Sequence, residues 1–147
     1  MNTEIIEFLQ HEKIGVIALE MLDGSPHGAT VKFAFSPDPL VFIFETNRNY
    51  KKCEALFGRP ESRASLVVGT NLGDMKTLQL DGIAKLVTDQ VIKEMYLSRF
   101  PENRKWTDDS DTVYFSFIPS TWKFSEYKFS GGKKVVTSDG KVTILDY

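Results

Sequence analysis

Between Leu40 and Phe57 the chain reads LVFIFETNRNYKKCEALF, and its character changes twice. Leu40 to Phe44 is continuously apolar, β-branched or aromatic after the leucine, as expected of a short buried strand. Glu45 to Asn49 is polar and predicts the end of that strand, because Thr46, Asn47 and Asn49 are residue types that cap helices or fill turns. Tyr50 to Phe57 then carries helix formers, with Cys53, Leu56 and Phe57 at helical spacing. The stretch predicts a strand, a polar loop and a short helix.

Lys51 and Lys52 fall in the first turn of that helix. Cations are disfavoured there, since a helix N-terminus already presents partial positive charge and unpaired N–H groups. Local conflicts of this kind are often functional. An anion on the loop would remove the conflict by meeting Lys51, Lys52, Arg48, the Thr46 hydroxyl and free backbone N–H groups. The competing reading is an exposed helix start that tolerates a cost of roughly a few tenths of a kcal/mol.

The rest of the chain limits what this segment can belong to. Its 147 residues predict one domain, residues 1–147, with a real core. Eleven phenylalanines favour β structure. The net charge of −2 argues against nucleic acid as a partner, so an anion site must be local. Cys53 is the only cysteine, which excludes an intrachain disulfide and fits a cytoplasmic setting. The N-terminal MNTEIIEFLQHEK has no basic region followed by an apolar run, so it does not read as a signal peptide. No apolar run approaches a membrane span, and no membrane partner is expected.

Taken in order, the periodicities predict a helix over Thr3–His11 capped by Asn2 or Thr3, then a doubly covered strand over Ile14–Leu22. A turn at Asp23–Pro26 leads to an alternating strand, Gly28–Phe35. After the central stretch, Gly58 is placed as a helix cap and Ala64–Gly69 reads as a strand. Asn71–Asp74 is a loop, and Lys76–Val87 a long strand with Gly82 marking a bend or bulge. A helix over Asp89–Arg99, a surface loop over Glu102–Asp111, and strands over Thr112–Ile118 and Thr121–Phe129 follow. Val135–Thr137 and Val142–Leu145 flank an Asp139-Gly140 hairpin turn. Seven or eight antiparallel strands with two or three helices make a small Greek-key or split barrel with helices outside. The two doubly apolar strands call for a further covering layer, such as a partner subunit.

Side-chain chemistry is sparse. His11 and His27 have no second ligand at metal spacing, so no metal site is expected. No GxSxG, GxGxxG or GxxxxGK motif occurs, and Asp108, Asp109 and Asp111 lack the rest of a calcium loop. Cys53 reads as a small buried hydrophobe. No catalytic side chain is expected, and any chemistry would be carried by a cofactor.

With these features in place, FETNRNYKKCEAL resembles the strand, Thr-Asn, basic pair, helix segment of the pyridoxamine 5′-phosphate oxidase-like, FMN-binding split-barrel superfamily. PHGATVKFAF stands where the family has its cofactor-contacting strand. RASLVVG, KTLQLDGIAKLV and VYFSFIPSTWKFSEYK resemble its later strands in the same order. The resemblance implies a mainly β fold with peripheral helices, an antiparallel Greek-key split β-barrel. It also implies a homodimer with FMN at the subunit interface, and a small flavin-dependent oxidoreductase. By this resemblance Thr46, Asn47, Lys51 and Lys52 fall on the segment that holds the FMN phosphate. Ala29, Thr30 and Val31 fall on the strand whose backbone meets the isoalloxazine ring, and Thr77 falls where many members carry a flavin-contacting glutamine.

The departures from the family pattern are specific. Ala29 stands where the vitamin B6 oxidases have a phosphate-binding arginine, Ala34 where they have a substrate-binding lysine, and their C-terminal arginine motif is missing. The resemblance therefore implies a family member that is not a vitamin B6 oxidase. The alternative on the same barrel is a non-catalytic binding or sensing module for haem, a deazaflavin or another anionic cofactor. Trp106, Trp122, Tyr96 and Arg99 are candidates for ligand contact, against plain roles in packing or on a helix face.

Overall fold

A computed structural model describes every residue except Leu72, Asp74 and Phe129. The helix α1 spans Thr3–His11 as the sequence predicts, with the Asn2 side chain accepting from the Ile5 N–H at 3.0 Å. It lays Ile5, Phe8 and Leu9 on the core. Strands β1 (Ile14–Glu20), β2 (Pro26–Lys32), β3 (Ala34–Pro37) and β4 (Leu40–Asn47) follow. Helix α2 (Lys52–Gly58), β5 (Ser62–Val68), β6 (Lys76–Val87) and α3 (Gln90–Arg99) come next. A short 3-10 helix over Pro101–Trp106, then β7 (Thr112–Tyr127), β8 (Lys133–Thr137) and β9 (Val142–Leu145) complete the chain. Among the described residues no helix is long and apolar enough to cross a membrane.

All the strand pairs are antiparallel, in the order β2-β1-β5-β6-β7-β4-β3, with the β8–β9 hairpin attached to β7. The two ends of this path, β2 and β3, are consecutive in the chain, so the sheet curls back on itself and stops short of closure. This is a split β-barrel. Its interior holds Ile17, Leu19, Phe33, Phe42, Phe44, Leu66, Leu78, Leu80, Phe115, Phe117 and Phe124. A smaller cluster of Ile43, Tyr96, Leu97, Phe100 and Tyr114 packs α3 against the outside of β3 and β4.

Several sequence expectations are corrected by pairing. The predicted Gly28–Phe35 strand is two strands, broken at Phe33, whose N–H donates to the Lys13 carbonyl. Strand β4 does not end at Phe44. Glu45, Thr46 and Asn47 remain in it because β7 supplies Tyr114, Val113 and Thr112 as partners. Thr112–Ile118 and Thr121–Phe129 are one long strand, β7, although Phe129 itself lies outside the described residues. The chain passes through Pro119 because Pro119 sits opposite Gly82, where the register shifts and one ladder donor is dispensable. Of the predicted loop at Asn71–Asp74, Leu72 and Asp74 are outside the described residues. The Glu102–Asp111 loop contains the 3-10 helix. Gly58 is the last helical residue rather than a left-handed cap, and a Cβ there would come within 2.7 Å of the Leu22 side chain.

Gly82 is the bend anticipated in the long strand. A Cβ at this position would lie 2.1 Å from the Ile118 carbonyl oxygen, a backbone atom that cannot move without breaking the β6–β7 pair. Gly82→Ala is expected to lower stability by about 2 kcal/mol or more. Urea denaturation read by tryptophan fluorescence checks this, and an unchanged midpoint would mean that the bend relaxes freely.

Candidate cofactor site

The polar end of β4 and the start of α2 form one corner of the barrel. Alternation along β4 turns Phe42, Phe44 and Thr46 toward the barrel interior and Ile43 and Glu45 outward. Thr46 is only 7% exposed, and its Oγ1 is buried without a hydrogen-bond partner. The Asn47 side chain is used locally, Oδ1 accepting from the Asn49 N–H at 2.9 Å, which shapes the turn into α2. The Asn47 carbonyl also accepts from the Cys53 thiol at 3.3 Å, tying the helix to the strand end.

The two lysines of the corner differ. Lys51 is exposed and takes the N-cap position in helical conformation, with no side-chain capping bond. Lys52 is the first helical residue and is only 6% exposed. Among the described residues neither lysine has an ion pair, and the Lys52 ammonium rests over the Tyr50 ring at 4.8 Å. Burial pushes the Lys52 pKa below the ordinary lysine value. The same desolvation raises the Cys53 thiol, opposed by the Lys52 charge, the Thr46 hydroxyl and the Arg48 charge. Two of the backbone donors at the helix start are already used, since the Cys53 and Glu54 N–H groups donate to the Tyr50 and Lys51 carbonyls. The Arg48 guanidinium lies over the Phe57 ring at 5.2 Å, at the edge of the corner. What remains, among the described residues, is a buried ammonium without an ion pair at the start of α2 and a buried hydroxyl without a partner at the end of β4. Both are costly alone, and both would be satisfied by an anion.

Strand β2 runs beside this corner. It approaches β4 without pairing to it. Val31 is buried in the barrel core, Ala29 is half-buried and Thr30 is exposed on this edge strand. The structure thus brings the strand that carries Ala29, Thr30 and Val31 into approach with the strand that carries Thr46 and Asn47. Thr77 is not in this group. It pairs with Ser125 near the start of β6, beside Gly69, whereas α2 meets the barrel through Ser62, which pairs with Ala84. The Thr77–Ala84 separation along the strand is on the order of 20 Å.

Other candidates have structural roles. Arg99 donates to the Leu9 and Gln10 carbonyls at 3.0 and 3.1 Å and so anchors the end of α1 to α3. Its Nη1 is buried without a partner, and burial lowers its pKa. Tyr96 is buried in the α3 cluster, where burial raises its pKa. Trp122 packs against the barrel core, while Trp106 is 48% exposed and carries Lys105 over its ring. Trp106 and Tyr50 line a cavity of about 340 Å³ at the end of β4, with Glu45, Thr46, Asn47, Asp109 and Thr112. Among the described residues no group of three or more His, Cys, Asp or Glu is placed to hold a metal.

Sequence reasoning missed a polar chain on the outer side of the corner. Lys32 donates to Asn103 Oδ1 at 2.9 Å, and Asn103 Nδ2 donates to Glu45 Oε1 at 2.6 Å. The Tyr114 hydroxyl donates to Glu45 Oε2 at 2.7 Å. The opposite charges of Lys32 and Glu45 were the one available signal. Asn103, in a segment without periodicity, offered none.

The architecture is that of a small split β-barrel with a buried cation near the end of an inner strand. The family described as pyridoxamine 5′-phosphate oxidase matches residues 1–126, and the chain belongs to that family. Solved structures agree on the fold. HutZ, the haem storage protein from Vibrio cholerae, is 18% identical with a TM-score of 0.63, covering 80% of this chain and 88% of that one. A Clostridium acetobutylicum protein related to general stress protein 26, of the pyridoxinephosphate oxidase family, is 18% identical with a TM-score of 0.67, covering 92% and 93%. A haem binding protein from Mycobacterium smegmatis is 13% identical with a TM-score of 0.67, covering 99% of this chain and 59% of that one. No curated protein matches the sequence.

The buried ammonium has a pH signature. Because its folded pKa lies below its unfolded value near 10.4, the folded state binds fewer protons than the unfolded state between the two. Lys52 therefore makes stability rise with pH through that window. Tyr96, Tyr114 and Cys53, all shifted upward by burial, act in the opposite direction, so the contribution is isolated by a difference. Lys52→Met, which keeps the stem and removes the charge, is expected to be at least as stable as the parent at pH 7 without ligand. The stability difference between variant and parent should shrink as pH rises toward 10. Urea midpoints across pH 7–10 check this, and a variant that is less stable throughout would show that the charge is compensated.

Proposed function

We propose that the protein is a cytoplasmic FMN-binding flavoprotein, a small flavin-dependent oxidoreductase that is not a vitamin B6 oxidase. The observation that carries this reading is the buried Lys52 ammonium, without an ion pair among the described residues, on the helix that follows the strand end where the Thr46 hydroxyl is buried without a partner. A phosphate monoester, carrying about −1.5 to −2 charge at neutral pH, supplies the counter-charge and the acceptors that this corner lacks. Lys51, exposed at the N-cap, adds a second cation at the rim.

When bound, the flavin supplies hydride or single-electron transfer, and the protein supplies binding, orientation and exclusion of water. Lys52 and Thr46 hold the phosphate, and the Ala29–Val31 backbone lines the ring. Ala29 and Ala34 leave this region without the cations that a phosphorylated pyridoxamine substrate would need.

The reading includes a homodimer with the cofactor at the subunit interface. Thr77 stands at the far end of β6 from Lys52, so it reaches the same cofactor only when contributed by a second copy. The outer face of β1, β5 and β6 carries half-exposed Val16, Ala18, Val67 and Ile83, with Ile118 of β7 exposed beside them. Such a face suits a covering subunit.

A second reading on the same corner is a haem-binding module without turnover. It is supported by the two structural neighbours named as haem-storage and haem-binding proteins. Absorbance of freshly purified protein, followed by thermal shift with FMN and with haem, separates the two. The expected result is a flavin spectrum or FMN stabilisation, with FMN affinity reduced about tenfold or more in Lys52→Met and in Thr46→Val. A colourless protein that ignores FMN, or one stabilised by haem alone, would overturn the flavin assignment.

A further inference from the structure

The β3–β4 ladder pairs Ala34 with Ile43, Phe35 with Phe42, Ser36 with Val41 and Pro37 with Leu40. Extended backwards at the same register, it would set Lys32 opposite Glu45 and Val31 opposite Thr46. The ladder does not extend. The chain turns away at Phe33, and β2 runs beside β4 without backbone bonds. This is the split in the barrel. Opposite charges at facing positions would ordinarily close onto each other. Here the amide of Asn103 stands between them, accepting from Lys32 at 2.9 Å and donating to Glu45 at 2.6 Å. A carboxamide is the side chain that can do both at once, since it presents a donor and an acceptor on one rigid plane.

Both ends of the bridge are held from behind. Lys32 lies over the Phe100 ring at 4.6 Å and 3.6 Å from the Glu102 carboxylate. Glu45 receives the Tyr114 hydroxyl on its other oxygen. Asn103 itself is fixed by its N–H donating to the Phe100 carbonyl at 3.0 Å. The bridge therefore connects three elements: the end of β2, the end of β4 and the 3-10 helix.

The residues that this bridge touches are chain neighbours of the proposed ligand contacts. Lys32 follows Val31 on the ring-lining strand, and Glu45 precedes Thr46 at the phosphate corner. We propose that Asn103 is a positioning residue that sets the width of the split, and thereby the distance between the Ala29–Val31 backbone and the Thr46–Lys52 corner. A ligand that occupies both halves depends on that width. A ligand that occupies the corner alone does not. The inference rests on the proposed phosphate corner but concerns a residue outside it, on the opposite face of β4.

Asn103→Ala removes both bonds, and Asn103→Gln keeps the amide on a longer stem. The test measures FMN affinity by flavin fluorescence quenching, inorganic phosphate affinity by thermal shift, and amide hydrogen exchange in residues 29–32 and 44–47. In Asn103→Ala, FMN affinity is expected to fall about tenfold or more while phosphate affinity stays within about twofold. Exchange at those two segments should accelerate while the core of β6 and β7 stays protected. Asn103→Gln should recover part of the FMN affinity. Equal weakening of FMN and phosphate, or unchanged exchange across the split, would overturn the assignment. Should the parent protein bind phosphate but not FMN, the flavin reading fails by itself, and the exchange comparison still decides whether Asn103 holds the split.

Discussion

The β6–β7 pair at the bend is the constraint on which the rest of the molecule depends. Twelve residues of β6 and the longer β7 form the spine of the sheet, and a flat pair of that length would carry its flanking strands apart. At Gly82 and Pro119 the register slips and the missing Cβ lets β7 cross closely. Beyond the bend, β7 reaches β4, while β6 still carries β5, β1 and β2 on its other side. The curl brings β2 and β4, distant in the pairing order, into approach with no ladder between them. The bend at Gly82 and Pro119 and the break at Phe33 together leave the split. The proposed ligand site lies where the two free edges meet.

Within that frame the corner at Lys52 is out of balance. Small proteins rarely bury a lysine without a carboxylate partner, because desolvating an ammonium costs far more than a cation–π contact returns. The Tyr50 ring offers such a contact at 4.8 Å, and the nearby Cys53 thiol stays neutral because burial raises its pKa. Thr46 adds a second uncompensated group. Arg99 Nη1 and Ser116 Oγ are also buried without a partner among the described residues, so Thr46 alone points to no ligand, and the proposed anion rests chiefly on the buried Lys52 charge.

Much of this was legible in the sequence, for local reasons. Helix α1 and strand β6 were bounded correctly because their periodicity and caps lie within their own segments. The errors fell where long-range pairing overrules local preference. Glu45, Thr46 and Asn47 look like a loop, yet β7 keeps them in a strand. Pro119 looks like a strand end, yet the bulge accommodates it. The conflict between two lysines and a helix N-terminus was visible, but which of them is buried depends on how α2 packs against the barrel. Two of the expected backbone donors, the Cys53 and Glu54 N–H groups, are taken by the turn at Tyr50 and Lys51. Asn103 was invisible because its role is defined by two strands far from it in sequence, Lys32 by 71 residues and Glu45 by 58.

The position of Thr77 completes the argument about how such a site is built. A single barrel gathers charge and strand edge at one end, and leaves the only polar candidate of β6 at the other. A tricyclic ring with a phosphorylated tail is much longer than the corner, so its ring must extend past the edge of one subunit along β2. The exposed Thr30 and half-buried Ala29 mark that direction. If the proposed dimer forms, the phosphate would be held by one subunit alone, while the environment of the ring would be shared between two. Affinity would then reside in Lys52 and Thr46, and the identity of the ring that is accepted would be decided at the split and across the subunit contact.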